Sequence, residues 1–171
     1  MKAVTTRLGG LEARVIDDGE GAPELLVVLC HGYGAPGVDL VGLASELAQQ
    51  EPSLARGVRF VFPAAPIVMG GFGMYDSRAW WALDEARIAA AMTGADWTPF
   101  VEEEPEGLSS ARRLLLRCLD EAMTQADLPV SRVVLGGFSQ GAMLATDATL
   151  RLEEAPAALG IFSGSLIARA V

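Results

Sequence analysis

The sequence has very few of the residues on which redox, disulfide and imidazole chemistry depend. It holds two cysteines and a single histidine in 171 residues. Cys30 lies in an apolar run and Cys118 in a helical pattern, so the two form no CxxC pair. Such spacing gives neither a disulfide framework nor a redox motif. We therefore expect both thiols to be reduced and buried in the core.

Positive charge is also scarce. The chain has 13 Lys and Arg against 22 Asp and Glu, which gives a formal net charge of −9. A chain of this charge repels a polyanion, and no basic stripe with interleaved aromatic residues occurs in it. Nucleic acid is therefore not an expected partner.

Long apolar runs are missing as well. No uninterrupted apolar stretch approaches the roughly 18 residues of a membrane span. The opening segment "MKAVTTRLGG" has no apolar core of the kind a signal peptide requires. We therefore expect no membrane span and a cytoplasmic location.

What the sequence does have is a high apolar content. Hydrophobic residues make up 51% of the chain and the mean hydropathy is +0.32, which favours apolar strands covered on both faces. A chain of this length buries roughly 70% of the surface that its unfolded form exposes. We expect one domain over residues 1–171 with a layered α/β architecture.

Short apolar runs alternate with helical patterns along the chain. The predicted strands are residues 11–16, 25–30, 58–62, 132–138 and 157–164. The predicted helices are residues 39–50, 107–126 and 140–152. Asp39 is the predicted N-cap of the first helix. Residues 69–106 read as an irregular excursion. This alternation predicts a mainly parallel sheet covered on both faces, with ligands at the carboxyl ends of the strands. Function should therefore lie in the loops after Cys30, Phe62, Phe138 and Phe162.

One of these loops contains G-x-S-x-G at residues 137–141, "GFSQG", between a strand and a helix. A serine on such a sharp turn needs small neighbours, because the backbone is strained and closely packed. Ser139 would project its hydroxyl at the top of the sheet, with the N–H of Gln140 beside it. The positive end of the helix favours an oxyanion there. The pattern therefore predicts a nucleophilic serine, although an ordinary glycine-rich turn is the alternative.

A second loop, "LCHGYGAPG" at residues 29–37, is open to three interpretations. Gly32, Gly34 and Gly37 spell G-x-G-x-x-G, which in a dinucleotide site cradles phosphates. The same loop holds the lone histidine, His31, which could be a catalytic base. It could also turn backbone donors toward a developing anion. A dinucleotide site needs an acidic residue at the end of the next strand, where this chain has "FPAAP".

The segments "LCHGYGAPG", "FPAAP", "SRAWW", "GGFSQGA" and "FSG", in this order and spacing, resemble the phospholipase/carboxylesterase family, which includes the acyl-protein thioesterases. The resemblance covers nearly the whole chain and implies a three-layer α/β-hydrolase fold acting on acyl esters or thioesters. It implies no metal and no organic cofactor.

The resemblance also assigns roles to single residues. It makes Ser139 the nucleophile and the N–H groups of Gln140 and Tyr33 the oxyanion hole. Gly32 and Gly34 let the backbone turn so that the Tyr33 N–H faces the site. Trp80 and Trp81 match a tryptophan pair near the acyl pocket, although the alternative is that they are core aromatics.

The resemblance further implies that part of the catalytic machinery is absent. In the family the catalytic Asp and His follow on later strands, whereas this chain stops at Val171 with no histidine after Ser139. His31 precedes the serine, so we expect it to support the loop rather than act as the base. Asp76 and Asp84 belong to the irregular excursion, and Asp147 is expected on a solvated face of its helix. None of them supplies the missing acid.

Two expectations follow from a chain that lacks those last strands. The hydrolase would be weak or inactive, since a serine without a base is a poor nucleophile. A non-catalytic binding module of the same fold is therefore an alternative function. The edge of "AALGIF" would also be uncovered, and we expect the chain to self-associate through it, to pair with a complementary piece or to be only marginally stable.

Overall fold

The computed structural model describes residues 1–70, 76–84, 86, 93–94 and 98–169. Its main sheet has six strands: β1 (Lys2–Leu8), β2 (Leu11–Asp17), β3 (Leu25–Cys30), β4 (Val58–Pro63), β7 (Val133–Phe138) and β8 (Ala158–Phe162). A small second sheet pairs β5 (Ile67–Val68) with β6 (Arg78–Ala79). The helices are α1 (Gly42–Gln50), α2 (Thr98–Glu102), α3 (Leu108–Ala126) and α4 (Gln140–Thr149). Two short 3₁₀ turns lie at Pro52–Ala55 and Val130–Arg132.

The strand order of the main sheet is β1-β2-β4-β3-β7-β8. The four strands from β4 to β8 run parallel, whereas β1 and β2 join them as an antiparallel hairpin. The predicted mainly parallel sheet is confirmed. Because the central parallel strands point the same way, their carboxyl ends bring the loops after Cys30 and Phe138 to one edge of the sheet.

Helices cover the sheet on both faces. The larger core cluster includes Leu115 of α3 and Leu144 of α4, together with Val28 of β3. The smaller cluster includes Ala44 of α1 and Phe60 of β4. These two clusters give the predicted three layers, with α3 and α4 on one face and α1 on the other.

Strand β1 is not predicted by the sequence pattern. Its side chains are exposed from Lys2 to Thr5, so it has no apolar alternation to detect. The signal lies in the turn instead. Gly9 and Gly10 both have positive φ, 57° and 94°, and Leu8 pairs with Leu11 across them. A two-residue Gly-Gly loop of this kind is typical of a β-hairpin.

Three predicted elements differ from the observed ones by two or more residues at one end. Helix α1 begins at Gly42 rather than at Asp39, because residues 38–41 form successive tight turns such as Val41 N–H to Val38 O at 3.1 Å. Helix α4 ends at Thr149 rather than at 152, and its last turn tightens through Arg151 N–H to Ala148 O at 3.1 Å. Strand β8 covers only 158–162 of the predicted 157–164.

The irregular excursion, residues 69–106, contains β6 and α2 among the residues that the structure describes, and β5 directly precedes it. Residues 71–75, 85, 87–92 and 95–97 of this excursion lie outside them. No helix in the described part of the chain is both long and apolar enough to cross a membrane.

Both cysteines are buried and free, as predicted. Burial raises the pKa of the Cys118 thiol to about 12 and raises that of Cys30 well above its ordinary value. Both side chains therefore stay protonated and act as small apolar residues of the core.

Strand β8 forms one edge of the main sheet, with β7 on one side and no described strand on the other. Ile161 and Phe162 are 49% and 59% exposed, and residues 155–168 contain no charged side chain. The opposite edge, β1, carries Lys2 and Arg7, which discourage edge pairing. The β8 edge thus combines unpaired backbone groups with apolar side chains and lacks the charge that would repel a second copy.

We expect two copies of the chain to pair antiparallel through β8 about a two-fold axis. Sedimentation velocity should show a dimer that grows with protein concentration. Ile161→Lys places a charge on this edge and should leave the chain monomeric. Leu150→Lys, at an exposed leucine outside the edge, is the control and should still dimerise. A wild-type chain that stays monomeric at every concentration would refute this expectation.

Candidate active site

Ser139 lies at the turn from β7 to α4, between Phe138 and Gln140. Its backbone has φ 52° and ψ −118°, a region that side-chain-bearing residues rarely adopt and that costs about 1–3 kcal/mol. Two hydrogen bonds hold the turn. The Ser139 N–H donates to Phe162 O at 2.8 Å, and Ser139 O accepts from Met143 N–H at 3.1 Å. The serine is half-buried, so its hydroxyl remains within reach of a ligand.

The two glycines of the motif allow α4 to begin against the end of β3. A Cβ on Gly141 would collide with the carbonyl oxygens of Cys30 and His31. A Cβ on Gly137 would lie 2.6 Å from the Cys30 oxygen. Neither position can accept any other residue without moving the helix away from the strand. The spacing G-x-S-x-G is therefore a packing requirement, and it brings the turn at Ser139 next to the loop that follows β3.

That loop runs directly beside the serine. A Cβ built on Gly32 would lie 3.4 Å from the Ser139 Cβ and 3.2 Å from the ring of Phe138. Gly34 has φ 76°, and its N–H donates to Arg78 O at 2.8 Å, which turns the chain away from the strand. Tyr33 lies between these two glycines, and its N–H donates to no described residue.

The third glycine of the loop has a packing role. A Cβ on Gly37 would lie 2.5 Å from the Cβ of Ala64, in the segment that follows β4. Strand β4 itself ends in Phe62 and Pro63, with no acidic side chain to hold a ribose. The glycines of the loop are thus used for turning and packing inside the protein.

His31 is fully occupied by hydrogen bonds inside the protein. Its Nε2 accepts from the Ala65 N–H at 3.0 Å, so the ring proton must lie on Nδ1, which is 2.8 Å from Gly32 O. The side chain is 1% exposed. Burial lowers the pKa of His31, although the hydrogen bond to Gly32 opposes the shift. A neutral imidazole with both nitrogens engaged joins the loop after β3 to the segment after β4.

Trp80 and Trp81 are both buried in the larger core cluster. The indole Nε1 of Trp80 donates to His31 O at 2.9 Å. The backbone of the pair is bonded to the side chain of Gln140, the first residue of α4. Trp81 also lines a cleft of about 540 Å³, whose walls are residues 82–84 and 103–107, with Ile67 at one side. The pair therefore belongs to the core, and Trp81 additionally faces the cleft.

The expectation that Asp147 lies on a solvated face is wrong. Its side chain is 6% exposed, because α3 packs over α4 and brings Arg112 onto the carboxylate at 2.9 Å. Arg151 adds a second contact at 3.3 Å. Breaking a buried pair of this kind is strongly destabilising, by about 3–5 kcal/mol. Both oxygens of Asp147 are thus engaged in holding two helices together.

Asp76 and Asp84 are the other acidic residues considered from the sequence. Asp76 pairs with Arg78 at 2.6 Å, and Asp84 lines the cleft. Within the described ranges, no group of three His, Cys, Asp or Glu side chains is placed to hold a metal ion.

The single histidine makes the state of its ring directly measurable. We expect His31 to titrate below its ordinary value of about 6.5 and to carry its proton on Nδ1. Long-range ¹H–¹⁵N NMR of histidine-labelled protein will report both properties without an assignment problem. A proton on Nε2, or titration at or above 6.5, would contradict the hydrogen bond from Ala65.

The lowered pKa of His31 also predicts how the free energy of unfolding depends on pH. Because the folded-state pKa is lowered, the unfolded chain binds more protons between that value and 6.5. As far as His31 is concerned, the free energy of unfolding should therefore be constant between about pH 7 and pH 8 and should fall as the pH drops through 6.5. Urea titrations at a series of pH values will measure it, and a flat profile down to pH 5.5 would exclude the linkage.

Comparison with known proteins identifies a family and several sequence relatives of this chain. The family model for phospholipase/carboxylesterase matches residues 11–170. Acyl-protein thioesterase 1 of Eremothecium gossypii is 30% identical over 137 residues, which cover 80% of this chain and 53% of that protein. The same enzyme of Kluyveromyces lactis is 31% identical over 147 residues, covering 80% and 54%. The chain spans about half the length of the curated relatives it matches.

Solved structures share the fold. The crystal structure of esterase PE8 aligns with a TM-score of 0.69 at 31% identity, covering 98% of this chain and 66% of that one. A carboxylesterase from Mesorhizobium loti aligns with a TM-score of 0.67 at 16% identity, covering 96% and 66%. The predicted α/β-hydrolase fold is thereby confirmed, and the chain belongs to the phospholipase/carboxylesterase family.

Proposed function

We propose that this chain carries the nucleophile and oxyanion hole of a serine hydrolase acting on acyl esters or thioesters. The observation that supports this proposal best is the contact between two loops. The strained turn at Ser139 lies against the backbone of Gly32, so the loop that carries Tyr33 runs beside the serine. The names of the relatives, acyl-protein thioesterases and an esterase, agree with an acyl carbonyl as the group attacked.

Charge stabilisation at this site comes from backbone dipoles. Gln140 is the first residue of α4, so its N–H has no carbonyl one turn earlier to bond. Together with the Tyr33 N–H it can donate to the oxygen of a tetrahedral intermediate. The positive end of α4 adds to the same field. One such donor contributes about 3–4 kcal/mol to stabilising the transition state.

The chemical steps use the chain's own serine. Ser139 Oγ forms a bond to the acyl carbon and gives up its proton, while the carbonyl electrons move onto the oxygen. The tetrahedral intermediate then expels the alcohol or thiol, which takes up a proton. Water then attacks the acyl carbon of the acyl-serine, the bond to Oγ breaks, a proton from the water restores the Ser139 hydroxyl, and the carboxylic acid is released. These steps use no metal or organic cofactor.

Proton transfer is the step that this chain supports poorly. Among the described residues, no side chain forms a hydrogen bond with Ser139 Oγ. The lone imidazole is occupied by Ala65 and Gly32. We therefore propose that turnover by these 171 residues is weak. In well-studied serine hydrolases without their triad, binding and the oxyanion hole leave roughly a 10³–10⁴-fold acceleration over water.

A fluorophosphonate probe and p-nitrophenyl esters test this function. We expect slow labelling of the wild-type chain and no labelling of Ser139→Ala. Ser45→Ala, at an exposed serine of α1, is the matched control and should label like the wild type. Added imidazole should accelerate ester turnover by the wild type more than by Ser139→Ala, because it supplies the missing base.

Three outcomes would overturn parts of the proposal. Labelling that survives Ser139→Ala would exclude Ser139 as the nucleophile. Rapid turnover without imidazole would show that the chain has its own base. If acyl esters bind but neither labelling nor turnover occurs, the chain is the non-catalytic binding module of the same fold.

A further inference from the structure

The side chain of Gln140 bonds the backbone of the tryptophan pair. Its Oε1 accepts from the Trp80 N–H at 2.9 Å, and its Nε2 donates to Trp81 O at 2.9 Å. The side chain is buried, with 3% of the residue exposed. Both partners lie about sixty residues earlier in the chain, so the contact joins two distant segments.

A carboxamide suits this position because it offers a donor and an acceptor at the same end. Trp80 and Trp81 follow β6 and belong to no strand themselves, so no ladder satisfies this N–H and this carbonyl. Left unpaired in the core, each group would be costly. The side-chain amide of Gln140 supplies the acceptor and the donor that a neighbouring strand would supply in a sheet.

The tryptophan pair also contacts the loop after β3 and lines the cleft. Trp80 reaches the loop after β3 through its indole N–H, which donates to His31 O at 2.9 Å. Trp81 lines the 540 Å³ cleft, and its Cβ lies 3.1 Å from where a Cβ on Gly107 would be. One wall of the cleft is thus tied to the residue that directly follows the nucleophile.

We propose that the Gln140 side chain is a positioning residue that fixes the cleft wall at Trp81 relative to Ser139, and thereby sets how long an acyl chain the site accepts. This role is separate from that of the Gln140 backbone N–H. It rests on the proposed hydrolase function, and it adds the proposal that the acyl chain extends from Ser139 toward the cleft. A short acyl group does not reach the wall, whereas a long one must fit against it.

Hydrogen exchange tests the attachment without any need for activity. In Gln140→Met, which keeps the side-chain length but removes both bonds, the Trp80 amide should exchange about tenfold faster. The amide of Val28 in β3 should keep its wild-type rate. Gln125→Met, at an exposed glutamine of α3, is the matched control and should change neither rate. An unchanged Trp80 rate, or equal acceleration at Val28, would refute a local attachment.

Labelling with ethyl and octyl fluorophosphonates tests the consequence for substrate length. We expect Gln140→Met to change the ratio of octyl to ethyl labelling rates by about tenfold, while Gln125→Met leaves it unchanged. A merely structural role would slow both probes equally and would overturn the proposal. If Gln140→Met fails to fold, Gln140→Glu replaces it in this comparison, because it loses the donor to Trp81 but keeps the side-chain length.

The two readouts separate this inference from the proposed function. A wild-type chain that neither probe labels contradicts the hydrolase function and, with it, the effect on acyl length. The exchange rate of the Trp80 amide still decides whether the attachment exists. In the wild type, the Gln140 side-chain amide should exchange more slowly than that of Gln125. Equal rates would contradict the bond to Trp81.

Discussion

The whole arrangement depends on the close approach of α4 to the carboxyl end of β3. Gly137 and Gly141 make this approach possible, because any side chain there would collide with the Cys30 carbonyl. The turn between β7 and α4 then has no room to be regular, and Ser139 adopts a positive φ. The strain of about 1–3 kcal/mol is local, whereas the burial of Leu144 and its neighbours on α4 stabilises the helix in this place. Packing therefore fixes the position of the serine before any ligand is present.

A continuous set of hydrogen bonds connects the start of α4 to other parts of the site. It runs from Gln140 to the backbone of Trp80, from the indole of Trp80 to His31, and from His31 to Ala65. Each of these groups is buried, so each bond is sheltered from competition with water. The loops after β3 and β4 and the tryptophan segment are thus held in one arrangement. Loops carry the functional groups here, but the rigidity comes from the core beneath them.

The sequence predicts those parts of the fold that depend on local patterns. Strand β3 has the bounds expected from its apolar run, and the glycine spacing places Ser139 at a strand-to-helix turn. Strand β1 is not predicted because both of its faces are exposed from Lys2 to Thr5, and only the Gly-Gly turn identifies it. The burial of Asp147 cannot be read from its helix, since it depends on Arg112 of another helix. The contacts of the Gln140 side chain cannot be predicted from sequence spacing either, because they join it to a distant segment of the chain.

The hydrogen bonds of His31 separate two functions that a single imidazole can combine, holding a loop and accepting a proton. A neutral ring that bonds Ala65 and Gly32 can hold the loop, but it has no free nitrogen with which to accept the proton of Ser139. The lowered pKa keeps this ring uncharged near neutral pH, so the loop beside the serine gains no positive charge from it. In the proposed function, the field that stabilises an oxyanion then comes from backbone N–H groups and α4 alone. Near neutral pH the chain's imidazole adds no charge to that field, because the ring is neutral there. A base brought to Ser139 would act on a site whose geometry is already set.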